Sequence, residues 1–140
     1  PYEIGLGWVV HLNRERFLGQ EALRRERARG SRWSLVGLEL VWQDLEALYD
    51  QYRLPPSLPT LASREAVPVF HNRRQVGRAT SLTWSPILKK YLALATVESP
   101  YQRVGTRLAV EHTVEYRRDQ VSAVVVERPF FAPERKKATL

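Results

Sequence analysis

The residues able to do chemistry are few and scattered. His11, His71 and His112 stand far apart, and none has a second His at the i, i+4 spacing that sets two imidazoles on one helical face, so no metal site is expected. Cys is absent, which removes thiolate ligands, thiol nucleophiles and disulfides together. Ser81 and Ser85 have no Gly-x-Ser-x-Gly elbow around them and no base nearby in sequence. Gly5-x-Gly7 lacks the third glycine and the helix start that a phosphate cradle needs. Glu111 and Glu115 could pair as carboxylates, but at an exposed strand end such residues are ordinarily solvated. No catalytic residue is assigned. What these side chains can do depends on the elements that hold them.

Those elements belong to a chain of 140 residues, 44% hydrophobic and 26% charged, which is the composition of a globular domain and not of a disordered tail. A chain this size buries roughly two-thirds of its unfolded surface, enough for a core without staples. Apolar runs such as Ala123-Val124-Val125-Val126 fall far short of a membrane span. No signal-peptide pattern is visible, and a cytoplasmic location fits. The chain starts at Pro1 and contains no Met, so it reads as a piece of a longer protein. Its formal charge of +7 is unevenly placed. Residues 1–60 hold eight basic and eight acidic residues, and residues 61–140 hold fourteen and seven. Such a surface reads first as a solubilising face with a basic tail, and as the alternative it attracts an anionic ligand or an acidic partner. Aromatics do not interleave with the basic clusters as in nucleic-acid modules, so no specific nucleic acid is expected, nor a membrane.

Trp8-Val9-Val10 favours an extended, part-buried strand. Gln20–Arg29 reads as a short helix, with Gly30 in the position that commonly ends one. From Trp33 to Leu40 an imperfect alternation marks a strand covered on both faces. Leu45, Leu48, Tyr49 and Tyr52 then fall at i, i+3, i+4 and i+7, one face of a helix over 44–53 with Asp44 as N-cap or first-turn acid. Pro55, Pro56 and Pro59 forbid its continuation. This helix and loop, about 41–66, read as an insertion. Short strand signals follow at 67–70, 75–84, 91–98, 106–114 and 120–127, with turns at 71–74 and 115–119. Gly77 inside a strand suggests a bulge or a close backbone approach, and Thr80 and Ser81 suit a strand bend fixed by hydroxyl-to-backbone bonds. The expected fold is mainly β: a small antiparallel barrel of Greek-key or jelly-roll type, with a short N-terminal helix and a helical insertion.

Several fragments, in order, carry a resemblance. Gly5-Leu6-Gly7-Trp8 followed by Phe17-Leu18-Gly19-Gln20-Glu21-Ala22-Leu23 resembles the Gly-Leu-Gly-(Trp/Phe) and Phe-Ile-Gly-x-x-Ala-Leu run of the glycine cleavage T-protein family. Leu35-Val36-Gly37-Leu38 is similar to that family's first C-terminal strand. Val76-Gly77-Arg78-Ala79-Thr80-Ser81, Ser85-Pro86 and Leu92-Ala93-Leu94-Ala95 follow its Val-Gly-x-Val-Thr-Ser, Ser-Pro and Ile-Ala-Leu-Ala block. Gly105-Thr106-x-Leu108-x-Val110 and Pro129-Phe130-Phe131 complete the order.

The resemblance implies the C-terminal region of a tetrahydrofolate-dependent aminomethyltransferase, or of relatives such as dimethylglycine and sarcosine dehydrogenases. Residues 1–30 become the closing segment of a preceding folate-binding domain and residues 31–140 the C-terminal barrel. The family's essential Asp lies in an earlier domain and is not in this chain. The cofactor is tetrahydrofolate, bound mainly upstream, and the partners are that upstream domain and, as a further candidate, a lipoyl carrier protein. Candidate folate-side residues are Trp8, Phe131, Arg135 and Lys136; Trp8 has core packing as its competing role, and a guanidinium or ammonium pairs readily with folate carboxylates. The alternative is a barrel without catalytic duty that docks an acidic carrier protein or a fused oxidoreductase domain.

Overall fold

Strand β6 (Arg117–Val126) shows why the C-terminal half folds as it does: Val121, Ala123 and Val125 are buried, while Gln120 just before them and Ser122 between them are exposed. A side-chain period of two with one apolar face is a strand that lines a core. The computed structural model describes residues 1–59 and 61–133. Five further strands join it among the described residues: β1 (Trp33–Leu40), β2 (Val67–His71), β3 (Arg74–Ser85), β4 (Lys90–Glu98) and β5 (Arg107–Val114). All pairings are antiparallel, and the six close into a barrel in the order β1-β4-β3-β2-β5-β6. Inward residues such as Leu38, Val69, Val76, Val97, Val110 and Val121 fill it.

The order β1-β4-β3-β2 is a Greek key, and the long connection it needs runs from β1 to β2. Helix α2 lies in that connection, at Trp42–Gln51. The expected helix over 44–53 is therefore present, two residues earlier. Asp44 is in its first turn, where it favours the helix dipole, but no side chain caps the N-terminus. Leu45, Leu48 and Tyr49 are buried within the same core as the strands. The segment about 41–66 thus serves as the crossover and closes one end of the barrel.

Two bulges shape β3. Its register against β2 shifts opposite Val69/Phe70, and against β4 between Ala79 and Ser81. At Gly77 a Cβ would press on the Thr96 carbonyl oxygen and approach Val97 Cα to 2.9 Å. The glycine is there because two backbones come too close for a side chain. Thr80 sits in the second bulge and its hydroxyl donates to Leu94 O at 3.4 Å.

Residues ahead of β1 depart from expectation. Gln20–Arg29 is helical as read, here α1, and Gly30 follows with φ 79°. Trp8-Val9-Val10 is not a strand. Gly7–Val9 forms a single 3-10 turn, closed by Val9 N–H to Leu6 O at 3.2 Å and Val10 N–H to Gly7 O at 3.1 Å. Gly5, at φ 77°, turns the chain just before it. β propensity is expressed only where a neighbouring strand supplies a ladder; the N-terminal segment bonds to β1 through Leu35 N–H to Glu3 O, and the turn at Gly5 that follows leaves Trp8-Val9-Val10 without one. His11 lies in the irregular stretch that follows. No helix among the described residues is long and apolar enough to cross a membrane.

Candidate functional site

Two chain segments meet on the outside of β1. The first runs from Pro1 to Leu18, and its Glu3 carbonyl accepts from Leu35 N–H at 2.6 Å. The second follows β6: at Gly37 a Cβ would meet the Phe130 ring at 2.6 Å, and at Gly5 the Arg128 guanidinium at 3.2 Å. Gly37 therefore lets Phe130 lie flat on the strand, and Gly5 lets Arg128 under the N-terminal turn. Helix α1 fixes the rest of the segment. Gln20, buried, donates to Leu12 O at 2.9 Å and Arg14 O at 3.2 Å, and Arg24 donates to Leu12 O at 3.0 Å.

This face is unusually apolar for an outer surface. Trp8 is 76% exposed and Leu18 wholly so, with Ile4, Leu6 and Val9 about half exposed. A cavity of about 650 Å³ opens beside them, lined by Val9, His11, Arg14, Phe17 and Leu23. The Tyr2 hydroxyl is buried without a hydrogen-bond partner among the described residues. Several exposed apolar side chains on one short segment and an orphaned hydroxyl are features of a surface that another part of a protein covers.

The expected site residues fall differently on this frame. Trp8 does not pack in the barrel's core: the turn at Gly7–Val9 leaves it 76% exposed. Phe131 is 48% exposed and follows directly on Phe130. The two segments carrying Trp8 and Phe131 are thus brought together across β1. Arg135 and Lys136 lie outside the described residues.

A second polar cluster, which sequence reasoning missed, sits under α2. Tyr49 Oη donates to Ser57 O at 2.8 Å and lies 3.2 Å from His112 Nε2. With its only proton committed to Ser57, the hydroxyl accepts, so His112 carries its hydrogen on Nε2. Burial pushes the His112 pKa down and that of neighbouring Tyr91 up to about 12. Both are then neutral around pH 7, and the cluster acts as a tie between α2, the loop after it and β5. Tyr52 donates to Asp119 at 2.8 Å, which raises the phenol pKa, and Arg117 stacks over its ring at 5.9 Å. Tyr49 and Tyr52 stood on the expected apolar face of the helix; their strand partners are long-range and leave no local signal. Glu111 faces Arg118 at 3.9 Å and does not pair with Glu115. Among the described residues no three His, Asp or Glu side chains gather as a metal cage.

Comparison with known proteins follows the fold. The family model described as the glycine cleavage T-protein C-terminal barrel domain matches residues 54–132. An aminomethyltransferase of Prochlorococcus marinus (strain NATL2A) is 36% identical over 94% of this chain and 30% of its own length. One from Synechococcus sp. (strain RCC307) is 39% identical over 94% and 31%. The chain thus spans about a third of the relatives it matches. The crystal structure of glycine cleavage system aminomethyltransferase T from Bartonella henselae superposes with TM-score 0.70 at 20% identity, over 94% of this chain and 32% of that one, which shows the shared barrel fold. From the matched barrel and the relatives' coverage of the N-terminal segment, the chain belongs to the glycine cleavage T-protein family and corresponds to its C-terminal region.

Proposed function

We propose that this chain is the C-terminal part of a tetrahydrofolate-dependent aminomethyltransferase, with residues 1–30 completing an upstream folate-binding domain and residues 31–140 forming a barrel that closes the folate site. The observation that carries the reading is the apolar face of residues 1–18, with Trp8 76% exposed, in a chain whose relatives are aminomethyltransferases about three times its length. The residues present fit such a ligand. An open indole face at Trp8 suits a planar heterocycle or benzoyl ring, and Phe131 lies on the segment facing it. Arg135 and Lys136 are proposed to meet the glutamyl carboxylates. Bound tetrahydrofolate supplies the amine nitrogens that accept the one-carbon unit; this chain's own part is to wall the site and exclude water. The essential Asp is assigned to the upstream region, and the aminomethyl group is proposed to arrive on a lipoyl carrier.

The test is calorimetric titration of a folylpolyglutamate into the longer parent protein. Trp8→Ala is expected to weaken binding roughly tenfold, with smaller losses for Phe131→Ala and Arg135→Ala/Lys136→Ala. Unchanged affinity in all three removes the barrel from the folate site.

A further inference from the structure

Charge is divided between the two ends of the barrel. One end gathers the turn between β2 and β3, the connection from β4 to β5 and the start of β5. It carries Arg32, Arg73, Arg74, Arg103 and Arg107, against Glu98 and Glu127, with Arg32 lying over the Trp33 ring at 5.4 Å. Arg74 Nη2 already holds both Glu98 carboxylate oxygens at 2.8 Å. Arg73, Arg103 and Arg107 are exposed and make no ion pair with a described residue. They are neighbours. Phe70 opposite Ala109 sets Arg107 beside the β2–β3 turn, and the His71 ring stacks on Tyr101 at 4.8 Å, bringing the Arg103 loop to the same place. Val104, 62% exposed, stands among them. At the other end, cations are interspersed with acids: Lys90 is held by Glu39 at 2.7 Å and Arg118 faces Glu111.

We infer that the arginine end docks an acidic segment of a partner protein, its carboxylates forking onto Arg73, Arg103 and Arg107 while an apolar side chain covers Val104. Guanidinium forks match carboxylates bidentately, and every free cation here is Arg and none Lys. An exposed aliphatic group inside the cluster suits a protein surface better than a phosphate backbone. The two aromatic rings at the turn, His71 and Tyr101, are half-buried and pack against each other at a 39° tilt, which makes them a poor platform for bases. The proposal goes beyond the folate reading, since none of these residues is among its folate-side candidates Trp8, Phe131, Arg135 and Lys136.

Fluorescence anisotropy of a labelled Asp/Glu-rich peptide bearing two leucines tests it on the 140-residue chain. Arg73→Glu/Arg103→Glu/Arg107→Glu should weaken binding at least about tenfold, and the same charge change at Arg27, Arg53 and Lys89 less than about threefold. The neutral Arg→Gln triple, which adds no repulsion, should rank with the Glu triple, and Val104→Ser should cost roughly threefold. Equal losses from both Glu triples would reduce the effect to bulk charge and overturn the docking site. So would tighter binding of single-stranded RNA than of the peptide at physiological salt. Protection of these arginines from phenylglyoxal in the longer parent protein overturns it as well, because the upstream region then covers them.

Discussion

At Gly77 an added methyl group meets backbone on β4 and not a movable side chain. Gly77→Ala should therefore lose about 2–3 kcal/mol in chemical denaturation, near the top of the range for overpacking. Gly37→Ala should lose less, because the Phe130 ring in its way can swing aside. His112 gives a pH signature. Its pKa is held below the ordinary 6.5 by burial, so the unfolded chain takes up the proton first. Stability should be full above that value and decline as pH falls below it, until the folded-state pKa is passed. His112→Gln should flatten the acid limb of a denaturation-midpoint profile. Tyr91, pushed up to about 12 from 10.0, works at the alkaline limb. The unfolded phenol ionises first, so stability declines between those values, and Tyr91→Phe should remove that decline.

Among the elements, α2 is the one whose removal from the core is easiest to measure. Leu45 is fully buried, and Leu45→Ala should cost about 2–5 kcal/mol, visible as a lower denaturation midpoint. The β5–β6 hairpin should respond in the opposite sense. Its two turn residues, Glu115 and Tyr116, have φ of 49° and 66°, where Asn-Gly is preferred. Glu115→Asn/Tyr116→Gly should stabilise the protein by about 1 kcal/mol. The strands were legible because their period of two is local: β4 was expected at 91–98 and runs Lys90–Glu98, while α1 matched its expected span. The 115–119 turn was expected too long, because Arg117 and Arg118 look like loop residues although they pair with Val114 and Thr113. Trp8 was misread for the converse reason. Its strand propensity is local, whereas the course of the chain after Gly5, which carries it clear of any strand partner, is set by the tertiary fold. The Tyr49–Ser57–His112 tie and the arginine end likewise arise from residues distant in sequence.

Across the whole molecule, the ring of strands is not equally strong all the way round. β3 and β4 share a long ladder from Gly77↔Val97 to Ser85↔Lys90, and β5 and β6 another from Arg107↔Val124 to Val114↔Arg117. β2 and β5 are joined only through Val69↔Val110 and Phe70↔Ala109. Local opening follows the weakest hydrogen-bonded contacts, so deuterium should enter the β2–β5 amides well before those of β3–β4, a difference measurable by peptide-resolved exchange. When that short seam parts, the cylinder becomes a curled ribbon with β2 and β5 as its two lips. For as long as it stays parted, the molecule exposes unsatisfied backbone that a foreign strand can zip onto, and this makes the seam the place where crowding should first produce oligomers.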